Sequence, residues 1–185
     1  MQKSIIYEQA RWRVWLCLVS DFSSDFLNVI EDIEEKNSPN QDESQDAVST
    51  EITPQTAKAQ TKPPEGEAVL QIELFFLENE VELFQSEMPN FLPFITLYQA
   101  KKILWDLRNF QILVEPALQE WIDTHINAAE VEAGIVQEAF LMPPDEIAQI
   151  AIEQTMDEAQ GQQIKTAFFE TEAAAWLWLN STLES

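Results

Sequence analysis

The sequence predicts an α/β fold: a single mixed sheet of about 4–5 strands with helices mainly on one side, interrupted by an acidic insertion. Three observations lead there. From Lys101 onward, short apolar runs alternate with longer amphipathic stretches: strand 102–107, helix 116–133, strand 135–142, helix 145–160, strand 163–169 and helix 171–182. Strands separated by helices imply parallel pairing through right-handed crossovers. Near the N-terminus two further runs, 5–7 and 12–19, read as a hairpin that joins the same sheet. Finally, six Trp and eleven Phe among 185 residues supply a core large enough for one domain.

In chain order, residues 1–36 form the N-terminal hairpin and helix of that domain. The strand 12–19 alternates Trp12, Val14, Leu16 and Leu18 on one face. Phe22, Phe26, Val29, Ile30 and Ile33 then follow helical spacing, with Ser20 and Asp21 as capping candidates. Residues 37–66 carry Ser, Asn, Gln, Asp, Thr and four prolines, with Ile52 as nearly the only large apolar side chain. Such a composition has nothing to bury against the entropy of ordering, so this stretch is expected to be a flexible, low-complexity insertion. Residues 67–185 form the main α/β part. Within it, 68–86 is ambiguous: Leu70, Leu74, Leu77, Val81 and Phe84 fit a helix, while Ile72, Leu74 and Phe76 fit a strand. The longer match favours helix. A short helix from Asn90 to Gln99 accommodates Pro93 in its first turn, with Asn90 as cap. Pro116 opens the next helix, and Gly134 and Gly161 are read as closing glycines of the helices before them.

The formal charge is -23, from 33 acidic against 10 basic side chains; it repels phosphate backbones, so nucleic acid is not expected as a partner. A folded surface this acidic suits a basic protein partner. No apolar run reaches the length of a membrane span, and the Met1–Ser4 start lacks a signal peptide's apolar core, so membrane association is not expected and the chain reads as cytoplasmic. The single cysteine, Cys17, lies in an apolar run and reads as a buried structural thiol.

The best local cluster of functional groups closes the strand 102–107. Asp106 and Arg108 stand two apart and point to one side, where Asp106 can accept hydrogen bonds and Arg108 can hold a carboxylate or a partner's backbone. Asn109, Gln111 and Gln119 supply uncharged contacts at the rim. Trp176, Leu177 and Leu179 form the last helix's apolar stripe, whereas Trp178 points well away from Trp176 around that helix and is a candidate interface anchor. His125 has Asp123 and Glu120 nearby but no nucleophile, and no loop has the acid spacing of a cation site, so neither a metal nor a cofactor is expected. An enzyme ranks third among the readings.

Four segments resemble one family. Lys101-Lys102-Ile103-Leu104-Trp105-Asp106-Leu107-Arg108-Asn109-Phe110, Pro116 to Asp123, Ala139 to Asp145, and Phe168 to Glu172 with Ala174 to Leu177 are similar in order and spacing to the small stand-alone bacterial members of the STAS superfamily, the anti-sigma-factor antagonists and their relatives. The resemblance covers about residues 100 to 180. It implies a mixed sheet with helices mainly on one side and a scaffold used for protein contacts or, in some relatives, for apolar ligands. The family's phosphorylated serine has no counterpart, because Gln111 to Asp123 contains no Ser or Thr. The expectation is therefore a non-enzymatic regulatory or interaction module acting through Asp106 to Gln119, with a protein partner or a second copy of the chain. The alternative is a carrier or sensor of a small apolar or lipid-like ligand.

Overall fold

The computed structural model describes residues 1–19 and 67–181. It contains one six-stranded mixed sheet in the order β1-β2-β3-β4-β5-β6, with every strand beside its neighbours in sequence. Strands β1 (Gln2–Glu8) and β2 (Trp12–Val19) form the expected hairpin, and β2 pairs antiparallel with β3 (Glu67–Leu74). Strands β3, β4 (Lys102–Asp106), β5 (Gln137–Leu141) and β6 (Lys165–Phe169) run parallel. The helix expected over 22–33 and the insertion 37–66 lie outside the described residues.

The strand count corrects the expectation of about 4–5, and the additional strand is β3. The spacing of Leu70, Leu74, Leu77, Val81 and Phe84, three and four apart, favours a helix over 68–86. The first half of this stretch is instead a central strand buried on both faces, from Ala68 through Ile72, and such burial erases the alternation that marks a half-exposed strand. Only its second half is helical, as α1 (Val81–Glu87).

Helix α2 (Leu92–Tyr98) carries Pro93 in its first turn, as expected, but Asn90 belongs to a preceding 3₁₀ turn and does not cap it. Gln99 ends it with a left-handed φ of 53°. The long helix after β4 is α3 (Pro116–Ile122) and α4 (Ala128–Ala133), joined without a break by a π turn over Asp123–Asn127. Gly134 closes it at a φ of 85°, where a side chain would be strained. Helix α5 (Glu146–Met156) starts on Asp145, whose carboxylate accepts from the Ala148 N–H at 2.8 Å, and ends well before Gly161. Gly161 is therefore no helix terminator. It is glycine because a Cβ there would lie 2.8 Å from the Met156 carbonyl oxygen. Helix α6 (Glu172–Asn180) follows β6 and is capped by Thr171.

Alternation along the strands divides the core in two. Trp12, Val14, Leu16, Leu70, Ile72, Ile103, Trp105 and Phe140 face α1–α5 and build the larger cluster, with Phe84, Phe94, Leu118, Ile126 and Ile152 from the helices. Cys17, Val69, Leu104, Ala139 and Leu141 face the other way, toward Ala175, Trp176 and Leu179 of α6. Burial pushes the Cys17 thiol up to about 12, which keeps it inert as the sequence suggests. Among the described residues no helix is long and apolar enough to cross a membrane.

Candidate functional site

The C-terminal ends of the parallel strands carry the candidate residues. Asp106 is the last residue of β4 and is buried, whereas Arg108 lies beyond the strand and folds back onto it. Two parallel bonds join them, Arg108 Nε to Asp106 Oδ1 at 2.9 Å and the second guanidinium nitrogen to Oδ2 at 2.6 Å, and the Arg108 N–H adds a third at 3.2 Å. A bidentate fork of this kind fixes the corner after β4. Glu172 at the start of α6 stands 3.7 Å from Arg108 and 3.7 Å from Lys3 of β1, and it accepts from the Trp176 indole at 3.2 Å. On the same face Arg13 bridges Glu8 at 2.6 Å and Glu73 at 3.8 Å. Lys3, Arg13, Glu73, Asp106 and Arg108 thus line one open, charged pocket, with Trp15 as its apolar wall and Lys3 lying over that ring at 4.6 Å. Burial raises the Glu73 carboxyl above its ordinary range, and Lys3 partly offsets it.

Around the corner, on the helix-covered side, lies a larger groove of about 990 Å³. Arg108, Asn109 and Gln111 form one lip, and Pro143, Asp145 and Ile147 form the other. Ile147 is 67% exposed and Leu113 is 49% exposed, and Ile150, one turn further along α5, is 55% exposed. Leu113 and Ile147 share the groove with Glu78, Glu115 and Asp145, three carboxylates against the one guanidinium of Arg108.

Of the six residues singled out from sequence, the fold gathers Asp106, Arg108, Asn109 and Gln111 and leaves two elsewhere. Gln119 is buried, donating to the carbonyls of Val114 and Ala151 at 3.2 Å each, so it ties α3 to α5 and offers nothing to a partner. Trp178 is half-buried on α6, against Phe169 and beneath the Lys165 ammonium of β6. Leu177, read as part of the apolar stripe, is exposed. His125 is exposed in the π turn and stacks on Trp121 at 4.9 Å.

Sequence reasoning missed a second constellation, on the larger core face. Glu130 of α4 and Glu138 of β5 are 1% and 0% exposed, and Glu138 accepts from the Trp105 indole at 3.2 Å. Among the described residues Glu130 Oε1 and Glu138 Oε2 have no hydrogen-bond partner, and the two carboxyls interact with each other. Burial raises both carboxyls, Glu138 to about 7, and the proximity of Glu138 raises Glu130 further. Each acid therefore keeps its proton to a higher pH than an exposed carboxyl does. Glu130 also lines a cavity of about 70 Å³ walled by Phe84, Trp105, Phe110 and Phe140. The signal was present in the sequence: Leu118, Ile122, Ile126 and Glu130 are each four apart, which puts the acid at the end of an apolar stripe.

No protein-family model matches this chain, and no curated protein and no solved structure matches it either.

Proposed function

We propose that the protein is a non-enzymatic interaction module that docks a partner segment bearing both apolar and basic side chains in the groove beside Asp106–Gln111. The observation that carries this reading is the exposure of Ile147 and Leu113 within a rim of Glu78, Glu115 and Asp145. Exposed branched aliphatics gain by being covered, and the surrounding carboxylates select a cationic partner over an acidic one. The ion-paired corner at Asp106 and Arg108 supports it by holding the lip rigid. The resemblance to the STAS superfamily supports it as well, since that resemblance implies a scaffold for protein contacts.

The test uses fluorescence anisotropy with two labelled amphipathic peptides of identical Leu pattern, one with Lys and one with Glu at the polar positions. The Lys peptide should bind, more weakly as salt rises, and Ile147→Asp should abolish binding. Equal binding of both peptides, or binding unchanged by Ile147→Asp, would dismiss the groove as a docking site.

A second reading, a carrier or sensor of a small ligand, draws on the aromatic-walled cavity beside Glu130. A cavity of about 150 Å³ accommodates the six carbons of benzene, so one of about 70 Å³ holds roughly three non-hydrogen atoms. That is far short of a lipid-like chain and narrows the reading to very small molecules.

A further inference from the structure

We propose that the open edge of the sheet at β6 takes up an extended segment of a partner protein, one that alternates apolar and basic side chains. This surface is separate from the groove beside Asp106–Gln111 and does not depend on it.

The edge is defined by its backbone. The Lys165 N–H donates to the Val136 carbonyl at 3.1 Å and the Phe169 carbonyl accepts from the Met142 N–H at 3.1 Å, so Lys165, Ala167 and Phe169 turn their backbone polar groups toward β5. Thr166 and Phe168 lie between them and turn theirs outward, on the last strand of the sheet. Two N–H and two C=O groups thus stand in a row with no strand to pair with among the described residues.

The opposite edge differs. Strand β1 has an irregular register between Ile5 and Tyr7, and a bulge of that kind spoils an edge for further pairing. Strand β6 keeps one register along its whole length, so the sheet is open to extension at β6 rather than at β1.

Side chains on both faces favour a strand there. On the α6 face Phe169 packs against Trp178 at 5.7 Å between centroids, and both are only half-buried. On the other face Phe168, half-buried as well, packs against Phe140 at 5.6 Å. A strand laid beside β6 runs along these rings and removes apolar surface from water.

Charge selects the partner. Glu153 and Asp157 are exposed at the C-terminal end of α5 and, with Met156, Thr166 and Phe168, line an open pocket of about 460 Å³ beside the edge. The last turn of α5 has no basic residue, although the negative end of a helix favours cations. An incoming Lys or Arg meets both acids and that helix end, with its aliphatic stem along Phe168 and Met156. Pairing to β6 puts every second side chain of the added strand on this acidic side and the others beside Phe169 and Trp178, which sets the alternating pattern. A second copy of β6 would instead bring Thr166 and Phe168, neither of them basic, together with another chain of charge -23.

The test uses the full chain and two short labelled peptides, one alternating Val and Lys and one alternating Val and Glu, in fluorescence anisotropy and NMR amide exchange. The Val–Lys peptide should bind at least tenfold more tightly. On binding, the Thr166 and Phe168 amides should exchange at least tenfold more slowly while Ala167, already paired with β5, is unchanged. Thr166→Pro removes an outward N–H, spares the β5 ladder and should weaken binding at least tenfold. Should that variant fail to fold, Glu153→Lys combined with Asp157→Lys, both at exposed positions, should weaken binding to the same degree. Ile147→Asp, in the groove, should leave it intact, and loss of binding there would assign the peptide to the groove and overturn the inference. Equal binding of the two peptides, binding of neither, or binding without protection of the Thr166 and Phe168 amides would also overturn it. A dimer in sedimentation that Thr166→Pro converts to monomer would overturn it in favour of a second copy.

Discussion

The two faces of the sheet handle acidic side chains in opposite ways. On the α6 face, Asp106, Glu73 and Glu172 lie at the rim, where Arg108, Arg13 and Lys3 stand within 4 Å of them. On the other face, Glu130 and Glu138 lie under α4 with an indole and each other as partners. The first arrangement neutralises charge where water still screens it and sets the geometry of a corner. The second holds protons where water is excluded, so it costs stability unless something compensates. An acid that is structural on one face is thus a marked departure on the other.

The largest expected effect concerns what holds the sparser face together. Trp176 is 0% exposed and is the main large side chain through which α6 reaches the sheet. Trp176→Ala should cost about 3–5 kcal/mol, read as a lower urea midpoint. A loss below about 1 kcal/mol would show that α6 adds little and that the larger core stands alone.

Next comes pH. Because the folded-state carboxyls of Glu130 and Glu138 are raised above their unfolded value of 4.5, the folded protein binds more protons than the unfolded chain between that pH and about 7. The stability they contribute is complete below about pH 4.5 and is lost as pH rises through about 7. Glu138→Gln should therefore flatten the fall in unfolding free energy between pH 5 and 8 and stabilise the protein at pH 8, by on the order of 1–3 kcal/mol. An unchanged pH profile would erase the contrast between the faces.

A smaller effect is expected from Asp106→Asn, about 1–2 kcal/mol, because one member of a partly exposed bidentate pair is lost while Glu73 and Glu172 remain to hold the cations. If Asp106 is structural, peptide binding survives in the folded fraction; if binding falls while the thermal midpoint stays, the residue contacts the partner directly. The smallest effect belongs to Ile147→Asp, whose stability should stay within about 0.5 kcal/mol of the parent because the side chain is already exposed. A larger loss would mean that Ile147 packs against the protein itself.

How far the sequence reveals this molecule differs along the chain. Strands β2, β4, β5 and β6 and the helices between them are legible because each has an apolar run or stripe bounded by Pro, Gly or a capping Asp or Thr. Strand β3 is not, because a strand covered on both faces has no polar side to alternate with. The corner at Asp106 and Arg108 could be located from its place after a buried strand, yet its bidentate closure depends on Arg108 turning back, which no local pattern specifies. Gln119 looks like a rim residue until α5 is known to pass above it. Glu130 and Glu138 are eight residues apart in sequence, and their meeting depends on how α4 lies over β5. The acid at the end of an apolar stripe was visible, but its partner was not.

The π turn between α3 and α4 is equivalent to one residue inserted into an α-helix. In an uninterrupted helix, residues four apart drift around the axis by about 40° per step, so Leu118, Ile122, Ile126 and Glu130 would spread over about 120°. The extra residue winds part of that drift back and lets all four face the sheet. The burial of Glu130 is then a matter of chain length as much as of chemistry. Removing any one residue from Asp123–Asn127 would restore a regular helix and rotate the acid relative to the stripe that precedes it. In lineage terms, a single codon gained or lost in this turn separates a conventional amphipathic helix from one that buries a carboxyl group.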